Sequence, residues 1–102
     1  MNAIIKDAIP KMQKKCRELG VKRLSVFGSV LSGEFTDQSD IDFLLDFKDT
    51  LSIEEYTNNY FSLHDFLQKL FNRNVDVITE NSLNNPYFIQ KLDNTKMVVY
   101  EA

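Results

Sequence analysis

Asp40-Ile41-Asp42-Phe43-Leu44-Leu45-Asp46-Phe47 is the stretch on which the fold turns. Ile41, Phe43, Leu45 and Phe47 alternate with Asp40, Asp42, Leu44 and Asp46, the period of a strand with one face in a core and acid at its leading end. Residues two apart on a strand point the same way with Cα atoms about 6.5 Å apart, so the Asp40 and Asp42 carboxylates reach a common point in front of the sheet. At about 6 Å and an effective dielectric of about 20 they repel by roughly 3 kcal/mol. A hard cation removes that repulsion, and Mg²⁺ takes carboxylate oxygens together with phosphates. Asp46 is about 13 Å further along, too far to share the ion, and is expected at the solvated surface.

Upstream, Ile5, Ile9, Met12, Cys16 and Leu19 recur at helical steps. Pro10 interrupts them, because an interior proline lacks a donor and clashes one turn back. The expectation is a short first turn, then a helix from about Pro10 to Leu19, capped by a left-handed Gly20. Val21 to Phe27 reads as a strand that Gly28-Ser29 ends abruptly, and Val30 to Ser39 as a short helical turn and a loop. Downstream, Ser52 with Glu55 forms a capping box for a helix over Ile53 to Phe71. Asn72 to Asn74 reads as a turn, Val75 to Ile78 as a strand, Asn85-Pro86 as a helix start and Met97 to Tyr100 as a last strand. This order predicts an α/β (α+β) fold, a small mixed sheet flanked by helices, in one domain over residues 1–102.

An acid pair alone also suits the surface end of an edge strand, and Gly-Ser alone a plain tight turn. Together they describe a place for a nucleoside triphosphate. Glycine lets the backbone approach an anion closely, and N–H groups and the Ser29 hydroxyl face it. Asp76 adds a third acid inside an otherwise apolar strand. Burying an unpaired charge is expensive, so Asp76 is expected to face a cation or solvent at the same site.

With a formal net charge of −3, the chain lacks the basic field that drives binding to a phosphate backbone, so no direct nucleic-acid substrate is expected. The single cysteine, Cys16, has no internal partner, and no leader or membrane-length apolar run is present, which points to a cytoplasmic protein with no membrane attachment. Cys16 lies on the apolar stripe and reads as core. His64 has no second ligand at helical spacing beyond Asp65, which argues against zinc. Tyr87, Phe88 and Tyr100 fit either core packing or a protein interface.

Phe27-Gly28-Ser29, ten residues, then Asp40-Ile41-Asp42-Phe43 resembles the signature of the polymerase-beta-like nucleotidyltransferase superfamily. With Gly33, Ser39 and the short length, the chain is most similar to the minimal nucleotidyltransferases (MNT), the antitoxin half of HEPN-MNT toxin-antitoxin pairs. The likeness covers nearly the whole chain, the final forty residues by pattern more than by motif. It implies that Gly28 and Ser29 hold the triphosphate of ATP, that Asp40 and Asp42 carry two magnesium ions, and that Asp76 joins one of them and helps activate the attacking hydroxyl. It further implies transfer of AMP to a tyrosine of a HEPN ribonuclease toxin, silencing it within a hetero-oligomer.

One departure bears on this expectation. Many similar proteins carry an arginine just after the Gly-Ser or two residues further on, where this chain has Val30 and Ser32. Lys22, Arg23 and Lys48 are the substitutes considered from sequence. Two other readings stand beside the enzyme: a catalytically weak antitoxin that acts by binding alone, and a transferase acting on a small molecule such as an aminoglycoside.

Overall fold

The computed structural model describes residues 2–102. Its centre is a four-stranded sheet of order β3-β2-β1-β4, built from β1 (Val21–Phe27), β2 (Ile41–Phe47), β3 (Val75–Thr79) and β4 (Met97–Glu101). β1 runs antiparallel to β2 and to β4, whereas β2 and β3 are parallel. A parallel pair needs a long crossover, and α2 (Ile53–Phe71) supplies it. The expected mixed sheet with helices is therefore the architecture observed.

The alternation of β2 decides which face is the core. Ile41, Phe43 and Leu45 are fully buried with Leu24 and Val26 of β1, Ile5, Met12 and Cys16 of α1 (Ala3–Glu18), and Leu63 and Leu67 of α2. Each such side chain contributes about 1.5–3 kcal/mol by leaving water. Burial also pushes the Cys16 thiol up to about 12, an inert core residue. Leu44 is buried too, but its position in the alternation puts it on the other face with Asp42 and Asp46, apart from this cluster.

α1 differs from expectation, running unbroken through Pro10 from Ala3 to Glu18. Pro10 is exposed, so the Lys6 carbonyl that loses its donor faces water, while Ile5, Ala8, Met12 and Cys16 pin the helix to the core on both sides of the proline. Asn2 Oδ1 accepts from the Ile4 N–H at 2.8 Å and caps the start. Gly20 has φ 71°, the left-handed conformation expected of it.

α2 starts at the capping box, with the Glu55 N–H donating to Ser52 Oγ at 3.1 Å and the Ser52 N–H to Glu55 Oε1 at 3.0 Å. The hydrogen bond from the Ser52 backbone holds the Glu55 carboxyl below its usual range. The Tyr60 hydroxyl donates to the Val77 carbonyl at 2.7 Å, fastening α2 to β3. After β3 comes a 3-10 turn, Glu80–Ser82, which the sequence reading did not anticipate. α3 (Pro86–Thr95) begins where Asn85 and Pro86 indicated, with Asn85 Oδ1 accepting from the Tyr87 and Phe88 N–H groups. Tyr100 is buried, whereas Tyr87 is 83% exposed and Phe88 40%. Among the described residues no helix is long and apolar enough to cross a membrane.

Candidate active site

Antiparallel pairing of β1 with β2, and parallel pairing of β2 with β3, bring the exit of β1 and the entries of β2 and β3 to one end of the sheet. Phe27 pairs with Asp42, and Asp42 with Asp76, so Asp42 and Asp76 stand side by side, with Gly28 just past the end of β1 against the Asp42 side chain. Two acids 34 residues apart in sequence become neighbours on one face because parallel register partners point the same way.

Gly28 is required here for two reasons. Its φ of 77° is left-handed, and a Cβ on it would run into the Asp42 carboxylate. From Gly28 the chain enters a 3-10 turn, Gly28–Leu31, anchored by the buried Val30. The Ser29 carbonyl accepts from the Ser32 N–H and from the Ser32 hydroxyl, each at 3.1 Å, which fixes the turn through its carbonyl side.

Asp42 is half-buried, while Asp40 and Asp76 are exposed. Burial pushes the Asp42 carboxyl above its usual range, and the charges of Asp76 and then Asp40 push it the same way. A hydrogen bond to Asp76, which forms only when one of the two carboxyls holds a proton, adds to the rise. The three acids therefore act on one another electrostatically.

Among the described residues no three His, Cys, Asp or Glu side chains are gathered into a ready metal cage. The pair brought together is Asp42 and Asp76, with Asp40 just before β2. That arrangement fits magnesium, which is held by one or two carboxylates plus substrate phosphates more often than by an all-protein cage. The donor set is all oxygen, as a hard cation prefers.

A family model described as a nucleotidyltransferase domain matches residues 9–98. The chain belongs to that family. It is 34% identical over 90 residues to a protein of Methanocaldococcus jannaschii named as a protein adenylyltransferase, covering 87% of this chain and 88% of the relative. It is 32% identical over 80 residues to the protein adenylyltransferase MntA of Thermococcus cleftensis, covering 78% and 77%. In fold it is similar to a chain in the structure of a tri-AMPylated Shewanella oneidensis HEPN toxin in complex with an MNT antitoxin, with a TM-score of 0.64, 19% identity, and coverage of 96% and 73%.

This nucleotidyltransferase has none of the cations considered from sequence at its Gly28-Ser29 turn. Lys22 lies 4.0 Å from Asp46, at the far end of β1. Arg23 is bound by Glu80 and Glu101 at 3.1 Å each. Lys48 follows the opposite end of β2, its N–H donating to the Gly20 carbonyl at 3.0 Å. Asp46 is likewise not a free surface acid; it is half-buried and lies 3.9 Å from Arg23.

Sequence reasoning did not place α3 beside the Gly28-Ser29 turn. A cavity of about 690 Å³ lies between the turn and α3, lined by Gly28, Ser29, Leu31, Phe88, Lys91 and Leu92 among others. Phe88, Lys91, Leu92 and Thr95 all line it, and their spacing of three, four and seven residues is one face of a helix. That spacing was a usable signal. What it lacked was a reason to place α3 opposite Gly28.

Proposed function

We propose that this nucleotidyltransferase is an antitoxin that transfers AMP from ATP to a tyrosine hydroxyl of a cognate HEPN-type toxin, with magnesium, and neutralises it within a complex. The observation that carries the reading is the pairing of Asp42 with Asp76 on neighbouring strands, with Asp40 just before them, at the end of the sheet where Gly28 lies against Asp42 and opens a turn. The relatives named as protein adenylyltransferases, and the fold shared with a structure that contains an AMPylated toxin, support the nucleotide and the partner.

In this reading Gly28 leaves room for the Asp42 carboxylate beside the turn, and the Ser29 hydroxyl donates to a phosphate oxygen. Asp40, Asp42 and Asp76 hold magnesium, which when bound neutralises phosphate charge and makes the acceptor hydroxyl more acidic. A carboxylate oxygen of Asp76, the most outlying of the three strand positions, takes the proton of the tyrosine hydroxyl. The phenolic oxygen forms a bond to the α-phosphorus while the bond to the bridging oxygen breaks, and pyrophosphate leaves.

Incubating the protein with labelled ATP, magnesium and the toxin is expected to place label on the toxin. Asp42→Asn, folded by circular dichroism, is expected to lower the rate at least a thousandfold, since the carboxylate beside both Gly28 and Asp76 is gone. Transfer at the wild-type rate by folded Asp42→Asn would sink the assignment. A tight complex without label would favour the second reading, an antitoxin that acts by binding, for which Val30 and Ser32 in place of arginine are the motive.

A further inference from the structure

We infer that Lys91 is the phosphate-binding cation of this site, contacting the β- and γ-phosphates of a nucleoside triphosphate held at Gly28 and Ser29; the inference rests on the nucleotide reading above. A triphosphate adds several negative charges to an end of the sheet that already carries Asp40, Asp42 and Asp76. A protein cation is needed to offset what magnesium does not. Position 30 cannot supply one, because Val30 is buried under the turn, and Ser32 is occupied donating to the Ser29 carbonyl.

Basic side chains on the neighbouring elements are engaged elsewhere. Arg23 is bound by Glu80 and Glu101, Lys96 by Asp93 at 3.0 Å, and Arg73 donates to the Thr36 and Ser39 carbonyls at 3.1 and 3.0 Å. Lys91 is the one cation lining the cavity among the described residues, and among them it has no carboxylate within ion-pair distance. Glu34 lines the same cavity without pairing to it. The Thr95 hydroxyl donates to the Lys91 carbonyl at 2.7 Å, so the helix turn that carries the lysine is held at its C-terminal end. Phe88, one helical turn before Lys91, and Leu92, the residue after it, line the same cavity and give it an apolar wall. An ammonium on a long stem that lines the same cavity as a Gly-Ser turn, beside apolar surface, supplies the cationic donor that a polyphosphate takes from a protein.

The test compares magnesium-ATP with AMP as ligands for the wild type, Lys91→Gln and Lys91→Arg, by calorimetry, with thermal unfolding to check the fold. AMP lacks the two phosphates assigned to Lys91, so Lys91→Gln is expected to weaken ATP binding about ten- to a hundredfold and AMP binding less than twofold. Lys91→Arg is expected to recover most of the affinity, and Lys91→Gln to show a shallower loss of ATP affinity with added salt. Equal weakening of ATP and AMP would make Lys91 a packing residue and overturn the inference. Wild-type affinity for ATP in Lys91→Gln would overturn it while leaving the nucleotide reading in place. A wild type that binds no ATP would remove both.

Discussion

Two groups of charged side chains sit at opposite ends of the same sheet, and they are built on opposite plans. At one end Arg23 Nε and Nη2 donate to the Glu80 carboxylate at 3.2 and 3.1 Å, Nη1 donates to Glu101 at 3.1 Å and Asp46 lies 3.9 Å from Arg23; Lys96, which precedes β4, reaches to within 4.0 Å of Glu80. Every acid there has a cation of this chain beside it. At the other end Asp42, Asp76 and Asp40 meet with no cation among them, and Asp42 is pushed above its usual range by burial and by the other two. A cluster kept for architecture is neutralised internally, because half-buried charge without a partner is costly. A cluster left unneutralised is open to a cation from outside, which would offset the repulsion on the half-buried Asp42. The contrast between the two ends supports the proposal that the acid end is a working site.

The largest test of the contrast is to fill the acid end from within. Gly28→Val places a side chain against the Asp42 carboxylate and forces a branched residue into a left-handed φ. It is expected to reduce AMP transfer at least a hundredfold, since an ångström of misplacement near the chemistry costs about that much. Single-turnover transfer to the toxin measures it, and a variant with wild-type turnover would mean that Gly28 does not approach the substrate.

A smaller effect is expected from breaking the balanced end. Arg23→Met leaves Glu80, Glu101 and Asp46 without their shared guanidinium. Because these groups are about a quarter to a half exposed, the loss is expected to be about 1–2 kcal/mol of stability, with ATP affinity unchanged. Denaturant unfolding and calorimetry measure the two quantities separately. A fall in ATP affinity would show that the two ends are coupled.

The smallest effect is expected from relieving the acid end. Without divalent ions, Asp42→Asn is expected to be more stable than wild type by on the order of 1 kcal/mol after solvent screening. The sign with pH follows from the raised Asp42 carboxyl: the folded protein holds that proton more tightly than the unfolded chain does. That contribution is full below the ordinary carboxylate range and is lost as pH rises through the raised value. The advantage of Asp42→Asn should therefore vanish at acid pH, grow toward neutrality, and shrink when magnesium is added to wild type. Unfolding curves in EDTA and in magnesium, at about pH 4 to 8, decide it; an advantage independent of both pH and magnesium would remove the electrostatic account.

Much of the fold was legible because its signals are local. The alternation from Ile41 to Phe47, the Ser52 and Glu55 box, the Asn85-Pro86 start and the left-handed Gly20 each depend on residues within a few positions of one another. Pro10 misled for the same reason: its local penalty was readable, but the packing that outweighs it, Ile5 and Ala8 before it with Met12 and Cys16 after it, comes from the rest of the molecule. Gly28, Ser29, Asp40 and Asp42 were named from motif spacing and Asp76 as an acid inside an apolar strand, while Lys22, Arg23 and Lys48 could not be placed, because nothing local shows that Arg23 meets Glu80, 57 residues away.

From its own order of residues, this chain determined that an acid pair leads a strand and that a glycine ends another, since backbone periodicity and turn chemistry act over a few residues. Only the tertiary structure decided that Asp76 stands beside Asp42, that Gly28 must lack a side chain because of that carboxylate, and that Lys91 lines the cavity over the turn. Those facts depend on strand register and on where α3 docks, and both are set by the packing of the sheet as a whole.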